Sequence, residues 1–195
     1  MIRTQIINHF ISKVEAKAYL EIGVREPEGN FNKIICDYKV AVDPTPLSPN
    51  ILPLTSDQFF EQNKETFDVI FIDGLHIAEQ VERDILNSFK VLNPGGYVIC
   101  HDMSPTDEAM QVAEYPKEPR PWTGDCWKAW VTLRTIREDL YMAVVDTDYG
   151  VGIIKKGKQN LLNLDNKALN YINLEANRKD WLNLISVEEF LNLNI

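Results

Sequence analysis

Two aspartates, each at the end of a short apolar segment, are the residues of this chain best placed to do chemistry. FDVIFID ends in Asp73 and GYVICHD ends in Asp102, while His76 follows the first acid and His101 precedes the second. Carboxylates and imidazoles at such positions can accept a proton from a substrate or bind a divalent cation. A turn is the simpler role for one aspartate, but two acids at paired strand ends favour a functional site.

The segments that carry these acids have the pattern of parallel strands buried on both faces. Both are short, continuous in apolar residues and rich in β-branched side chains. A helix is predicted between them from about Ala78, with Val81 and Ile85 on its apolar stripe. Because a strand, helix and parallel strand connect right-handedly, both strand ends should meet at the same edge of a sheet. Ligands bind at that edge in α/β folds, so we expect Asp73 and Asp102 to line one crevice.

The rest of the chain continues this alternation of helices and strands. Helices are predicted at 5–15, from Phe31 for a short stretch, over DQFFEQNK and from Cys126. Ser56 or Asp57 is expected to cap the helix over DQFFEQNK. Further strands are predicted at 18–24, 38–44 and 51–54. A loop with four prolines follows Asp102, and a hairpin is predicted over LYMAVVDTDYGVGIIKKG.

These elements predict one α/β domain over residues 1–195, with a core at about 15–157 and a helical tail at 158–195. The expected fold is Rossmann-like, with a mostly parallel sheet and helices on both of its faces. The length is ordinary for a single domain of this class.

Composition excludes several classes of protein. A net charge of -9 argues against a nucleic-acid surface, which needs clustered lysines and arginines. Three widely spaced cysteines suggest reduced thiols, so we expect a cytoplasmic protein. No apolar stretch is long enough for a signal peptide or a membrane span, and we expect no membrane partner.

The turn after the first predicted strand, LEIGVREPEGNF, indicates the kind of cofactor. Its only glycines are Gly23 and Gly29, whereas a dinucleotide fingerprint needs three closely spaced ones to hold a pyrophosphate. Glu21 also places negative charge where a phosphate would need none. A cationic ligand without phosphate, such as S-adenosylmethionine, needs no glycine-rich turn and is compatible with the negative charge of Glu21. Asp43 ends the second strand, where an acid can accept hydrogen bonds from ribose hydroxyls.

The segments LEIGV, VAVDP, FDVIFIDGLH, NPGGYVICHD and DYGVGII resemble the class I S-adenosylmethionine-dependent methyltransferases. Within that class the chain is most similar to the small macrocin-type and cephalosporin-type group of sugar and small-molecule O-methyltransferases. The resemblance covers roughly residues 15–157, and its most specific part is IDG-x-H followed by PGG-x(4)-HD. It implies a seven-stranded sheet with a reversed last strand in the C-terminal hairpin.

The resemblance also implies which residues bind the cofactor. Glu21 and Gly23 would lie at the methionine part, Asp43 at the ribose, and Ser56 with Asp57 near the adenine. The cofactor residues expected on this basis are Glu21, Gly23, Asp43, Ser56, Asp57 and Asp73. The REPEGN turn departs from the family, because it is longer and more charged than usual.

Methyl transfer to a hydroxyl needs alignment and a means of removing the proton. Related enzymes hold Mg²⁺ with acids at the ends of the fourth and fifth strands, which Asp73 and Asp102 match, with His101 in place of a third acid. Carboxylates suit Mg²⁺, whereas an imidazole is a less natural ligand for it. We expect Asp73, His76, His101 and Asp102 to be catalytic, and Asp73, His101 and Asp102 to hold any divalent cation. The expected partner is a small-molecule acceptor such as a sugar.

Two other functions stay open from the sequence. Asp146-Thr147-Asp148 resembles the acid-x-acid motif of sugar-nucleotide-dependent glycosyltransferases, although a hairpin turn explains it more simply. A non-catalytic binding protein with a methyltransferase fold is the other alternative.

Aromatic and basic residues of the second half have two interpretations each. Trp127 and Trp130 have helical spacing and are expected in the core, whereas Trp122, in the proline-rich loop, is the better candidate to contact a ligand. Arg120 and Arg134 could bind a substrate carboxylate or be solvated.

Overall fold

The structure, a computed structural model, describes all 195 residues and contains one seven-stranded sheet in the order β2-β1-β3-β4-β6-β5-β7. The helices are α1 Arg3–Lys13, α2 Ser56–Gln62, α3 Ala78–Val91, α4 Cys126–Ile136, α5 Tyr171–Leu182 and α6 Val187–Leu191. The strands are β1 Ala18–Ile22, β2 Tyr38–Val42, β3 Phe67–Ile72, β4 Leu92–Cys100, β5 Leu140–Val145, β6 Val151–Lys156 and β7 Leu184–Ile185. The predicted fold class, with its reversed strand in the hairpin, is confirmed.

The chain divides into two compact units, which we describe separately. The first comprises residues 1–75 and 83–100, and the second comprises 76–82 and 101–195. The single-domain organisation stays a prediction. None of the helices combines the length and the apolar character needed to cross a membrane.

Four parallel strands form the centre of the first unit. Strand β1 pairs with β2 on one side and β3 on the other, and β3 pairs with β4. The sequence FDVIFI of β3 is apolar at all but one position, and its last four side chains are buried, as a strand covered on both faces requires. In the register of the sheet Ile72 lies beside Cys100, so β3 and β4 end side by side.

The second unit is built on the antiparallel pair β5–β6. Strand β7 adds to the edge of β5 in parallel orientation. Trp127 and Trp130 of α4 are fully buried, which confirms that they are core residues. The indole N–H of Trp130 donates to the carbonyl of Leu182 at 3.1 Å, and this bond ties α5 to α4.

Three local predictions were wrong. Segment 51–54 is not a strand: Leu52 makes a single bridge to Val42, and Pro53 has no N–H with which to continue the ladder. Helix α2 is capped by Thr55, whose hydroxyl accepts from the backbone N–H of Gln58, and neither Ser56 nor Asp57 is the cap. The seventh strand comes instead from the tail, which was predicted as helical throughout.

Candidate active site

Glu21 near the end of β1 is a buried acid held by two hydrogen bonds. Its side chain is only 4% exposed. The hydroxyl of Tyr19 donates to Oε2 of Glu21 at 2.6 Å, and Nδ2 of Asn30 donates to the same oxygen at 3.0 Å. Both hydrogen bonds reach Oε2, and none reaches the other carboxylate oxygen, Oε1.

Burial raises the pKa of the Glu21 carboxyl to about 7, because the charged form loses its hydration. The nearby charge of Asp73 raises this pKa further, while the two hydrogen bonds and the charge of Arg3 oppose the rise. A bound cation would restore the charged form. Perturbed acids of this kind in a sheet's ligand-binding edge are typical of functional sites.

Gly23 allows the backbone after β1 to turn against the end of β3. Its φ is +93°, and a Cβ at this position would lie 2.1 Å from the carbonyl oxygen of Asp73. The N–H of Gly23 donates to the carbonyl of Val42 at 2.8 Å. Any side chain larger than hydrogen would therefore displace the strand end on which Glu21 and Asp73 depend.

Asp43, which follows β2, is 9% exposed. Its Oδ1 accepts from the N–H of Thr45 at 2.8 Å, and its own N–H donates to the carbonyl of Leu52 at 3.1 Å. These bonds fix the carboxylate while Oδ2 accepts no hydrogen bond. The predicted adenine residues Ser56 and Asp57 lie in the first turn of α2, where Asp57 pairs with Arg83 at 3.6 Å.

Asp73 and His101 each follow directly the end of a strand in the parallel pair β3–β4. The carboxylate of Asp73 is partly exposed, and Nε of Arg3 in α1 lies 3.9 Å from its Oδ2. Its backbone N–H donates to the carbonyl of Ile22 at 2.9 Å, which continues the ladder one residue past β3. Arg3 was not identified from the sequence, since a lone arginine at a helix start carries no signal.

In the second unit, the side chains of two histidines and two aspartates lie in a row in which imidazoles and carboxylates alternate. Nδ1 of His76 lies 3.4 Å from Oδ2 of Asp102, and Nδ1 of His101 lies 3.2 Å from Oδ1 of Asp102. Nε2 of His101 in turn lies 3.5 Å from Oδ1 of Asp148. The structure thus brings together three predicted catalytic residues and adds Asp148, which was considered from the sequence as part of a hairpin turn or of an acid-x-acid motif.

The backbone of Asp102 is left-handed, with φ +63°, a conformation that aspartate and asparagine tolerate better than most residues. The segment that follows is tied to the β5–β6 turn, because the N–H of Ser104 donates to the carbonyl of Tyr149 at 2.8 Å. Arg178 of α5 donates to the Ser104 hydroxyl and to the carbonyl of Pro105, both at 2.8 Å. The tail therefore supports the segment that carries Asp102.

Trp122 covers one face of His76. The two rings are stacked, with centroids 4.6 Å apart and an interplanar angle of 18°. The indole N–H of Trp122 donates to the carbonyl of Val112 at 2.7 Å, and the exposed Tyr115 meets the same indole edge-on at 5.1 Å. This arrangement keeps Trp122 as the candidate to contact a ligand and makes it part of the surroundings of His76.

Arg134 does not have the substrate-binding role that the sequence left open. It is 9% exposed and donates to the carbonyls of Asp180 and Trp181, which lie at the end of α5. Its guanidinium thus joins α4 to α5. The Asp146–Asp148 segment forms the hairpin turn, as the simpler interpretation predicted.

Comparisons with known proteins agree with this arrangement. A family model described as a methyltransferase domain matches residues 40–103. No curated protein matches the chain.

Solved structures with a similar fold include three methyltransferases. The O-methyltransferase from Bacillus cereus in complex with SAH has a TM-score of 0.55 at 14% identity, with 80% of each chain covered. The O-methyltransferase TomG from Streptomyces achromogenes, in complex with SAM, has a TM-score of 0.52 at 12% identity, with 79% of each chain covered. The SAH-bound methyltransferase PaMTH1 from Podospora anserina has a TM-score of 0.54 at 13% identity, with coverage of 80% of this chain and 81% of that one.

The macrocin-type subgroup suggested by the sequence stays a prediction, because none of these comparisons distinguishes it. The fold is established by the strand order, the reversed strand β6 and the similarity to these solved structures. The protein has the fold of the class I S-adenosylmethionine-dependent methyltransferases.

Proposed function

We propose that this protein is an S-adenosylmethionine-dependent O-methyltransferase that acts on a hydroxyl group of a small polar acceptor such as a sugar. The observation that carries the proposal is the buried carboxylate of Glu21, with Oε1 unbonded at the end of β1. A desolvated acid at this position suits the ammonium group of the cofactor and opposes a pyrophosphate. The domain match and the fold support the same class.

In this proposal Asp43 binds the ribose. Its Oδ1 is held by Thr45, so Oδ2 is free to accept from a ribose hydroxyl. Gly23 allows close approach of the methionine part. Ser56 and Asp57 remain the proposed adenine contacts, and Asp73 contacts the cofactor from the end of β3.

Transfer breaks the bond between the sulfonium and its methyl carbon and forms a bond from that carbon to the acceptor oxygen. The hydroxyl proton must leave at the same stage, and His76 or Asp102 is proposed to accept it. Asp102 lies between the imidazoles of His76 and His101, and the far ring nitrogen of His101 lies 3.5 Å from Oδ1 of Asp148.

A divalent cation fits part of this donor set. Asp73 and Asp102 are carboxylates that follow neighbouring strand ends, and such a cation would lower the pKa of the acceptor hydroxyl. Both ring nitrogens of His101 face carboxylates, so it could serve as the predicted third ligand only after one nitrogen leaves its partner. His76 is an alternative third ligand, because its Nδ1 lies 3.4 Å from Oδ2 of Asp102.

Calorimetry with S-adenosylhomocysteine tests the cofactor assignment. Asp43→Ala removes charge-assisted bonds to the ribose, each worth about 1.5 to 3 kcal/mol, so affinity should fall by at least about tenfold. Asp37→Ala, at an exposed acid before β2, is the matched control and should bind like the wild type. Equal binding by Asp43→Ala and the wild type would refute the ribose assignment.

A further inference from the structure

A buried polar relay links helix α1 to Glu21 within the first unit. The hydroxyl of Thr4 donates to Oδ1 of Asn30 at 2.6 Å, and Nδ2 of Asn30 donates to Oε2 of Glu21 at 3.0 Å. Thr4, Asn30 and Glu21 are each less than a tenth exposed, and Tyr19, which bonds to the same carboxylate, is fully buried. Such groups are costly to bury unless their bonds are satisfied.

The chemistry of the three groups fixes the direction of the relay. Binding of a cationic ligand requires Glu21 in its ionised form, which only accepts hydrogen bonds, so Asn30 must then turn its NH₂ group toward Glu21. Its amide oxygen then faces Thr4, whose hydroxyl has to be the donor. Each side chain therefore has one orientation in which the whole relay is satisfied, and Asn30 cannot rotate without breaking two bonds.

Both donors reach the same oxygen of Glu21. Because Tyr19 and Asn30 both donate to Oε2, the carboxylate is held by one oxygen, while Oε1 carries no protein hydrogen bond. The four residues come from α1, β1 and the REPEGN turn. This turn lacks the glycine-rich sequence expected of the fold, and Asn30 is its last residue.

We propose that Thr4 and Asn30 are positioning residues that aim Oε1 of Glu21 at the ammonium group of the cofactor's methionine part. The inference rests on the proposed function and goes beyond it, since it makes helix α1 and the REPEGN turn determinants of recognition at that one end of the cofactor. Their loss should therefore weaken ligands that carry the ammonium group and spare ligands that lack it.

The experiment compares two ligands by calorimetry on the full chain. S-adenosylhomocysteine carries the amino-acid group, whereas 5′-methylthioadenosine has the same nucleoside and no ammonium. For Thr4→Val we expect the affinity for S-adenosylhomocysteine to fall by between about 2-fold and about 10-fold, and for Asn30→Ala by at least about 10-fold. The affinity for methylthioadenosine should stay within about 2-fold of the wild type in both.

Two further variants separate positioning from general support of the fold. Thr4→Ser keeps the hydroxyl and should restore wild-type affinity for S-adenosylhomocysteine. Thr135→Val removes a matched hydroxyl that bonds to the carbonyl of Thr132 at 2.7 Å on α4, and should change neither affinity. Should Asn30→Ala fail to fold, the Thr4→Val and Thr4→Ser pair decides the question.

The outcomes distinguish this inference from the proposed function. A wild type that binds neither nucleoside overturns both. A wild type that binds S-adenosylhomocysteine, together with a Thr4→Val protein that binds it equally well, overturns the positioning role alone. Equal weakening of the two ligands by Thr4→Val and Asn30→Ala also overturns it, because the relay would then support the whole site.

Discussion

Tyr19 and Glu21 lie two residues apart on β1, and the Tyr19 hydroxyl donates to Oε2 of Glu21 at 2.6 Å. Alternate residues of a strand share a face, so the tyrosine is fixed beside the acid by the strand itself. The phenol helps to hold a carboxylate that is otherwise removed from water. The folded protein thus keeps an acid whose charged form would be more stable in solvent. Such a buried acid is expected where a residue serves ligand binding rather than the stability of the fold.

This burial predicts a pH-dependent loss of stability. The folded pKa of Glu21 is about 7 against an ordinary value of 4.5, so between these values the folded state binds more protons than the unfolded state. The free energy of unfolding should therefore fall as pH rises through that window, by roughly 3 kcal/mol in total at about 1.4 kcal/mol per pH unit.

Glu21→Gln removes the titrating group and should remove this loss. Urea unfolding of the ligand-free protein at about pH 5 and about pH 8 measures the difference. Glu118→Gln, at an exposed position, should follow the wild type. If Glu21→Gln loses as much stability as the wild type over this range, Glu21 is not the responsible acid.

Gly23→Ala should be strongly destabilising, by at least about 2 kcal/mol, because it forces an alanine into a positive φ and against the Asp73 carbonyl. Gly29→Ala is the control, since its Cβ would lie 3.6 Å from the nearest atom, the carbonyl oxygen of Glu26. Urea unfolding compares the two. Similar stability of both variants would mean that the turn after β1 tolerates a side chain.

Asp102→Asn should lower methyl transfer to an identified acceptor by at least about 10²-fold while leaving the affinity for S-adenosylhomocysteine nearly unchanged. Asparagine tolerates the left-handed backbone of this position, so the substitution tests charge and not backbone strain. Transfer at the wild-type rate would exclude both the metal and the base roles of Asp102.

Treatment with EDTA separates those two roles. Activity that is lost on chelation and restored by Mg²⁺ supports a cation at Asp73 and Asp102. Activity that survives exhaustive chelation indicates that a side chain accepts the proton without a metal, with His76 or Asp102 as the proposed base.

Arg134→Met should destabilise the fold by about 1 to 3 kcal/mol, because the carbonyls of Asp180 and Trp181 lose their donor. Arg120→Met, at an exposed position of the proline-rich loop, should change stability by less than about 0.5 kcal/mol. Thermal or urea unfolding checks the pair. An Arg134→Met protein as stable as the wild type would return this residue to the candidates for substrate binding.

The sequence predicted the elements whose patterns are local and strong. The stripe of α3 with Val81 and Ile85 has helical periodicity, and the short, continuous, β-branched runs of β3 and β4 are typical of buried strands. Segment 51–54 is apolar too, but Ile51 packs with Val24 and Ala41 without forming a ladder. Ile51 is the buried residue of this segment, whereas Leu52 and Pro53 are exposed, so the apolar composition does not by itself indicate a strand. Strand β7 has two residues, too few to show any period.

The site was predictable where a residue lies at or just past the end of a strand, as Glu21 and Asp102 do. Its supporting residues were not, because they come from distant parts of the chain. Asn30 and Thr4 are 26 residues apart, and no local pattern joins a helix start to the end of a turn. The contact of Asp148 with His101 could not be predicted either, because an aspartate is common in a turn whether or not a histidine lies nearby.

Ligand selectivity of the wild-type protein distinguishes an S-adenosylmethionine site from a diphosphate site. Calorimetry should be run on one preparation with S-adenosylhomocysteine, with a nicotinamide dinucleotide and with a uridine diphosphate sugar. We expect saturable binding of one S-adenosylhomocysteine per chain, and no binding of the two diphosphates, because Glu21 opposes a pyrophosphate and the turn after β1 lacks the glycines to hold one. Binding of either diphosphate in place of S-adenosylhomocysteine, or of none of the three, would contradict this expectation.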